Sequence, residues 1–174
     1  MTYKESITEA MAVLAQDPRR VFIGYGLLKG RAMGTLAGVP EAQILETPVA
    51  ENLMMGLAIG LSLKGRLPVV YFERMDFITN AMDAIVNHLA AMDQLSRGEF
   101  KPAVIIRCTI GNRNKPLYTG PVHTQDFTTA VRLMAGIMSV RADTILAVGD
   151  YYQEAAKRQA EGKSTLIAEL KDLM

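Results

Sequence analysis

From residue 43 the chain reads Gln43-Ile-Leu-Glu46, then a Thr47-Pro48 break, an apolar stretch from Glu51 to Lys64, Gly65, and the run Leu67-Pro-Val-Val-Tyr-Phe72. The first piece has the length and character of a short strand. The last is continuously apolar, as in a strand covered on both faces within a parallel sheet. Between them Leu53, Met54, Leu57, Ile59, Leu61 and Leu63 are apolar nearly all round, which predicts a helix buried on most of its faces. Gly65 supplies its cap. A strand, a helix and a strand in that order form one crossover unit, and this unit decides the fold class.

The same alternation extends both ways. Upstream, Ile7, Ala10, Met11 and Leu14 make a helical stripe that Asp17-Pro18 ends, and Arg20 to Gly24 reads as a strand. Leu27 to Val39 carries Gly30, Gly34 and Gly38 and reads as an irregular crossover. Downstream, Asp76 to Leu95 reads as one long helix with Phe77, Ala81, Ala84, Ile85 and Leu89 toward the core. A buried strand from Ala103 to Ile110 follows, then a polar loop from Gly111 to Pro121. The chain continues with a helix behind Thr124, a strand from Ile137 to Val140, a helix from about Asp143 to Glu161 and a final strand from Ser164 to Leu170. The expectation is an α/β protein, three layers with a mostly parallel sheet between helices. Residues 1–174 are expected to be a single domain with no further domain after it.

Composition narrows the function classes. The chain has 174 residues, 49% of them hydrophobic and 21% charged, enough apolar material for a sizeable core. Nineteen Lys+Arg against eighteen Asp+Glu give a formal charge of +1, so no global field draws the chain to nucleic acid or anionic lipid. No long apolar run suggests a membrane span. The N-terminus carries Lys4, Glu5 and Glu9 where a signal peptide needs an apolar stretch, so a cytoplasmic protein is expected. Cys108 is alone, which excludes an internal disulfide and a cysteine zinc site; among apolar neighbours it reads as a buried thiol. Eleven Met and no Trp suggest a pliable interior or a partner-facing surface.

Ligands of open α/β sheets sit beyond the carboxyl ends of the strands, so the residues just past each apolar run are the informative ones. Glu51 stands at a helix start behind the Thr47-Pro48 turn. A carboxylate there need do no more than complement the helix dipole, by about 0.3–1 kcal/mol, and only motif evidence gives it a further role. Tyr71 to Phe77 alternates aromatic and charged residues; Asp76 suits an N-cap, Phe77 the core, and Glu73 and Arg74 a solvated rim. Thr119 to Gln125 presents His123 just before a helix, where an imidazole can titrate and reach a ligand. His88, mid-helix, reads as structural. Gly24-Tyr25-Gly26 lacks the third glycine of a dinucleotide fingerprint, and there is no P-loop, no Gly-x-Ser-x-Gly elbow and no metal-ligand spacing.

Taken in order, several of these strings resemble the pyrimidine-binding domain of thiamine-diphosphate enzymes. The similarity is to the β subunit of 2-oxoacid dehydrogenase decarboxylases and to the central domain of transketolase. The matching strings are Met1-Thr-Tyr-Lys-Glu-Ser-Ile7, Glu46-Thr-Pro-Val-Ala-Glu51, Gly56-Leu-Ala-Ile-Gly60, Gly65-Arg-Leu-Pro-Val-Val70, Asp76-Phe77, Asp83-Ala-Ile-Val-Asn-His88 and Gly120-Pro-Val-His-Thr-Gln125. Together they span nearly the whole chain.

The resemblance implies a role for each matched position. Glu51 would hydrogen-bond a ring nitrogen of the cofactor's aminopyrimidine, favouring the tautomer that activates the thiazolium carbon. A carboxyl held in an apolar pocket with a raised pKa suits that proton sharing. Val49, Phe72, Phe77 and Arg74 would line the cofactor, and His123, Gln125, Arg113 and Arg74 the substrate. Where the family places an aromatic residue against the pyrimidine, this chain has Arg74. Phe72 or Phe77 is the expected substitute for the aromatic, and Arg74 a planar fork for a substrate carboxylate or phosphate.

The family holds Mg²⁺ and the diphosphate with a Gly-Asp-Gly motif and a downstream asparagine. Here Gly149-Asp150 is followed by Tyr151. The resemblance therefore implies no metal ligands in this chain and a separate Gly-Asp-Gly subunit that holds thiamine diphosphate and Mg²⁺ across an interface, in an α₂β₂ heterotetramer. Met and Leu of the helix from Glu51 would form part of that contact. The expected activity is 2-oxoacid decarboxylation or two-carbon acyl or ketol transfer, on a small 2-oxoacid or ketose. The rival expectations are a non-catalytic assembly or regulatory subunit with the same fold, and a free-standing nucleotide binder.

Overall fold

A computed structural model describes residues 1–112 and 120–174. Six strands, β1 (Arg20–Gly24), β2 (Ile44–Glu46), β3 (Leu67–Phe72), β4 (Ile105–Ile110), β5 (Met138–Ala142) and β6 (Thr165–Leu170), form one sheet in the order β2-β1-β3-β4-β6-β5. Every neighbouring pair is parallel. Parallel neighbours need crossovers, and these supply helices to both faces. The three-layer expectation therefore holds.

One face is covered by α3 (Glu51–Leu63), the segment from Met75 to Ala90 and α5 (Thr128–Ala135). Met54, Met55, Ile59, Ile78, Ile85 and Val131 pack there against Val70, Phe72, Ile106 and Ala168. The other face is covered by α1 (Tyr3–Leu14) and α6 (Ile145–Ala160), with Ile7, Met11, Val148 and Tyr152 against Phe22, Tyr71, Ile105 and Ile167. α1 starts on a capping box, in which Thr2 and Glu5 satisfy each other's backbone N–H. α6 starts on Thr144, whose hydroxyl accepts from the Ala147 N–H.

Three expectations change. The long helix over 76–95 is in fact a 3₁₀ helix from Met75 to Ala81, a π-helical stretch from Ala84 to Ala90, and a short α4 (Met92–Leu95). Thr79 and Asn80 are weak helix formers, and the Thr79 hydroxyl donates 3.0 Å to the Asp76 carbonyl, competing with an α-helical ladder there. Second, α3 is not buried on most faces: Leu53 and Leu63 are exposed, while Met54 and Met55 are core. Leucine, not methionine, thus supplies the open apolar surface of that helix. Third, the crossover after β1 begins with a short α2 (Leu27–Gly30), followed by Arg31, Ala32 and Met33, all at positive φ.

A polar group sits inside the second face. Arg107 on β4 and Glu169 on β6 are fully buried and joined by two hydrogen bonds, Nε to Oε1 at 2.7 Å and Nη2 to Oε2 at 2.9 Å. Tyr152 donates to the same carboxylate at 2.6 Å, the Arg107 Nη2 also donates to Thr35, and the guanidinium stacks 4.6 Å from the Tyr71 ring centre. Burial alone would weaken the charge on Arg107, but Glu169 outweighs it and keeps the guanidinium protonated beyond its ordinary range. Cys108 is buried as expected, and burial pushes its thiol well up. Among the described residues no helix is long and apolar enough to cross a membrane.

Candidate active site

β1 leads outward to β2 on one side while β3 starts the run to β4 on the other. Loops leave in opposite directions at such a reversal, and a crevice opens above the carboxyl ends of the strands. The residues that follow the strand ends on this side are Tyr25 and Gly26 after β1, the turn to Glu51 after β2, Glu73 and Arg74 after β3, and Gly111 after β4.

Glu51 is the first residue of α3 and is only 6% exposed. No side chain caps this helix start, so the Glu51 carboxylate is the acid that meets the positive end of the dipole. Its Oε2 accepts a 3.3 Å hydrogen bond from the Asn80 side-chain amide. Val49, just before it, is 68% exposed. Tyr25 is half-buried nearby. Burial pushes its phenol up to about 12, and the Glu73 and Glu51 carboxylates add to the shift. The Glu46 carboxylate holds the preceding turn by accepting from the backbone N–H groups of Gly26 and Leu28.

The 3₁₀ helix from Met75 to Ala81 organises the rest. In such a helix side chains three apart lie on one line, which puts Phe77 and Asn80 on the same side. Asn80 holds Glu51. Phe77 meets the His123 imidazole edge-on, ring centres 5.3 Å apart and planes at 89°. One residue earlier, Asp76 Oδ1 accepts from both the backbone N–H and the side-chain amide of Gln125, at 3.3 and 3.0 Å. Its Oδ2 is buried and has no hydrogen-bond partner among the described residues. Asp76 is therefore a clasp on the His123 loop, not the N-cap expected of it. Gly111 makes the same junction from below, since a Cβ there would stand 1.8 Å from the His123 carbonyl oxygen.

Of the sequence-derived site residues, Glu51, Phe77, His123 and Gln125 are thus tied together through one short helix, and Val49 lies open beside Glu51. Phe72 is different. It is fully enclosed in the core against α3 and has no surface to offer a ligand, so of the two phenylalanines only Phe77 keeps exposed surface. Arg74 is 6% exposed; its Nη1 donates 2.7 Å to the Glu73 carbonyl, and its Nε is buried without a hydrogen-bond partner among the described residues. Arg113 lies outside the described residues. His88 is on the surface beside Asp83, 3.5 Å away, away from this group. Sequence reasoning missed Tyr25 and Asn80. For Tyr25 the available signal was its place past a strand end; Asn80 becomes legible only once the helix is known to be 3₁₀.

A doubly wound parallel sheet with a buried carboxylate beyond its strand ends is an α/β architecture of the kind whose ligands sit above the carboxyl edge. The chain matches the family described as transketolase, pyrimidine binding domain, over residues 1–171, and belongs to it. It is 32% identical over 134 residues to the mitochondrial pyruvate dehydrogenase E1 component subunit beta of Saccharomyces cerevisiae, covering 74% of this chain and 36% of that protein. Against the pyruvate dehydrogenase E1 component subunit beta of Bacillus subtilis it is 28% identical over 155 residues, 83% of this chain and 45% of that protein. The chain thus spans less than half the length of these relatives. A solved split-gene transketolase, described as an inactive β4 tetramer, shares the fold with a TM-score of 0.76 at 20% identity, covering 98% of this chain and 52% of that one.

Proposed function

We propose that this chain, a single pyrimidine-binding domain over residues 1–174, is one subunit of a two-chain thiamine-diphosphate enzyme. In this reading Glu51 activates the cofactor, and the reaction is 2-oxoacid decarboxylation or two-carbon acyl or ketol transfer. Family membership supports the cofactor class. The observation that carries the reading is the Glu51 carboxyl, buried at the head of α3 with one oxygen steered by Asn80.

The residues present fit one half of the cofactor. A shielded carboxyl flanked by exposed Val49 and half-buried Phe77 suits a planar, weakly basic ring. They do not fit the other half. Among the described residues no three His, Cys, Asp or Glu side chains cluster as metal ligands, and Gly149-Asp150 lies inside α6, where it cannot form a metal-binding turn. Diphosphate and Mg²⁺ are therefore assigned to a separate Gly-Asp-Gly subunit, in an α₂β₂ assembly. Exposed Val49 and Leu53 offer that partner an apolar contact beside Glu51, and Leu63 extends it at the far end of α3.

When bound, the cofactor supplies a nucleophilic carbon and an electron sink for carbon–carbon cleavage. The chain's own work is simpler. Glu51 would share a proton with a ring nitrogen of that cofactor through Oε1, since Asn80 occupies its Oε2. Phe77 restrains the His123 ring, which can donate to or accept from a substrate oxygen. Asp76 locks Gln125 and thereby the height of the His123 loop. Arg74 brings a fixed cation to the substrate side, suited to a carboxylate or a phosphate.

Glu51→Gln removes the acidic proton with little change of shape. Assembly with the Gly-Asp-Gly subunit should persist, read by analytical ultracentrifugation, while turnover falls by about a hundredfold or more, the scale of general acid–base groups. Unchanged turnover would instead favour a non-catalytic assembly subunit.

A further inference from the structure

A second group of charges gathers at the carboxyl end of β6, and its two lysines have no role above. Lys171 follows β6 directly, and its Nζ stands 3.2 Å from the Met33 sulfur. A thioether is a weak acceptor, so this ammonium is an underused donor. Lys4 comes to the same turn, since a Cβ on Gly34 would meet its Nζ at 3.2 Å. Two ammonium groups therefore converge on adjacent residues, Met33 and Gly34. Arg74 follows the end of β3 and its charge acts on Lys171; its Nη1 lies 3.6 Å from the Glu73 carboxylate, while its Nε is buried without a hydrogen-bond partner among the described residues. Among the described residues neither lysine forms an ion pair within 4.0 Å.

The fold collects these cations at a cost. Lys4 occupies the first turn of α1, where the helix dipole disfavours positive charge. The turn that receives both lysines runs through Arg31, Ala32, Met33 and Gly34 at φ of 50°, 47°, 60° and 84°, a left-handed stretch that side chains other than glycine adopt only under strain. Thr35, directly after it, is bound by Arg107 from below, which holds the turn in place. Structure that gathers like charges on strained backbone is working against its own stability, and such departures mark sites.

We propose that Lys4, Lys171 and Arg74 form a binding site for a phosphate dianion above the carboxyl ends of β3 and β6. Two ammonium donors and a guanidinium match a tetrahedral group with several acceptor oxygens, and bound phosphate would neutralise the gathered charge. Consistent with this, burial lowers the Lys171 pKa and the Arg74 and Lys4 cations lower it further, with only Glu73 opposing. The site shares Arg74 with the proposed substrate side but needs neither thiamine diphosphate nor Glu51.

The test is a titration of inorganic phosphate into the full chain, followed by calorimetry, with acetate and chloride at equal ionic strength as controls. Saturable binding specific to phosphate is expected. Lys171→Met should weaken it about tenfold or more, the scale of one lost hydrogen bond to a charged group. Lys4→Gln, at an exposed position that folding tolerates, should weaken it as well, and Glu51→Gln should leave it unchanged. Glycerol 3-phosphate distinguishes the source: tighter binding than inorganic phosphate identifies a phosphomonoester as the ligand, weaker binding free phosphate. Absence of saturable phosphate binding, or equal binding by the wild type and both lysine variants, overturns the site.

Discussion

Glu169→Gln shows what the buried charges cost. With Glu169 neutral, Arg107 keeps its charge in a site that is closed to water, and Tyr152 loses a charged acceptor. Removing one partner of a buried pair costs about 3–5 kcal/mol, and urea unfolding should show a loss of that size; less than about 1 kcal/mol would mean that water reaches the pair. The Glu51 prediction has the opposite character, since it removes function and spares stability. At this scale the sequence revealed residues by position more than by type. Glu51 and His123 were singled out because each stands in a segment that leads from a strand end into a helix. Phe72 was assigned to the ligand because a strand covered on both faces shows no alternation to say which side a residue takes. Tyr25 was passed over within a glycine pair that fitted no nucleotide fingerprint.

Among the elements, the strands and α3 followed from apolar runs and their breakers, and the Gly65 cap lies in the left-handed region as expected. The Met75 to Ala90 region did not follow. Its apolar spacing suits an α-helix, and only Thr79 and Asn80 hint at the local hydrogen bonding that tightens its first part. That tightening lines Phe77 up with Asn80 and so links His123 to Glu51 through one helix. Gly111→Ala tests the junction from the sheet side. The added methyl collides with the His123 carbonyl, so the loop must shift. The imidazole resonances of His123 should move, and stability should fall by about 1–3 kcal/mol, as for other overpacked sites. Unchanged resonances would mean that the loop does not rest on β4.

For the whole molecule, the buried phenols set an alkaline limit. Burial pushes Tyr25 and Tyr71 up to about 12, and Tyr3 and Tyr152 upward as well. A group whose folded pKa is raised contributes stability that is complete below its unfolded value and is lost as pH rises toward the folded one. Stability should therefore hold to about pH 10, near the unfolded tyrosine value, and fall steeply between there and pH 12 in urea titrations. Arg20, which burial lowers to about 10, acts in the opposite sense, but four phenols outweigh it. A flat profile to pH 12 would show that the phenols ionise without unfolding. The three-layer architecture itself was readable from alternation alone; strand order was not, because no local pattern says which edge of the growing sheet each new strand joins. The central claim is that Glu51 activates a cofactor held mainly by another chain, and its most direct measure is the rate of deuterium exchange at the thiazolium carbon of thiamine diphosphate in the assembled protein. The account predicts fast exchange in the wild type and exchange slowed by about a hundredfold or more in Glu51→Gln; equal rates in the two proteins would contradict it.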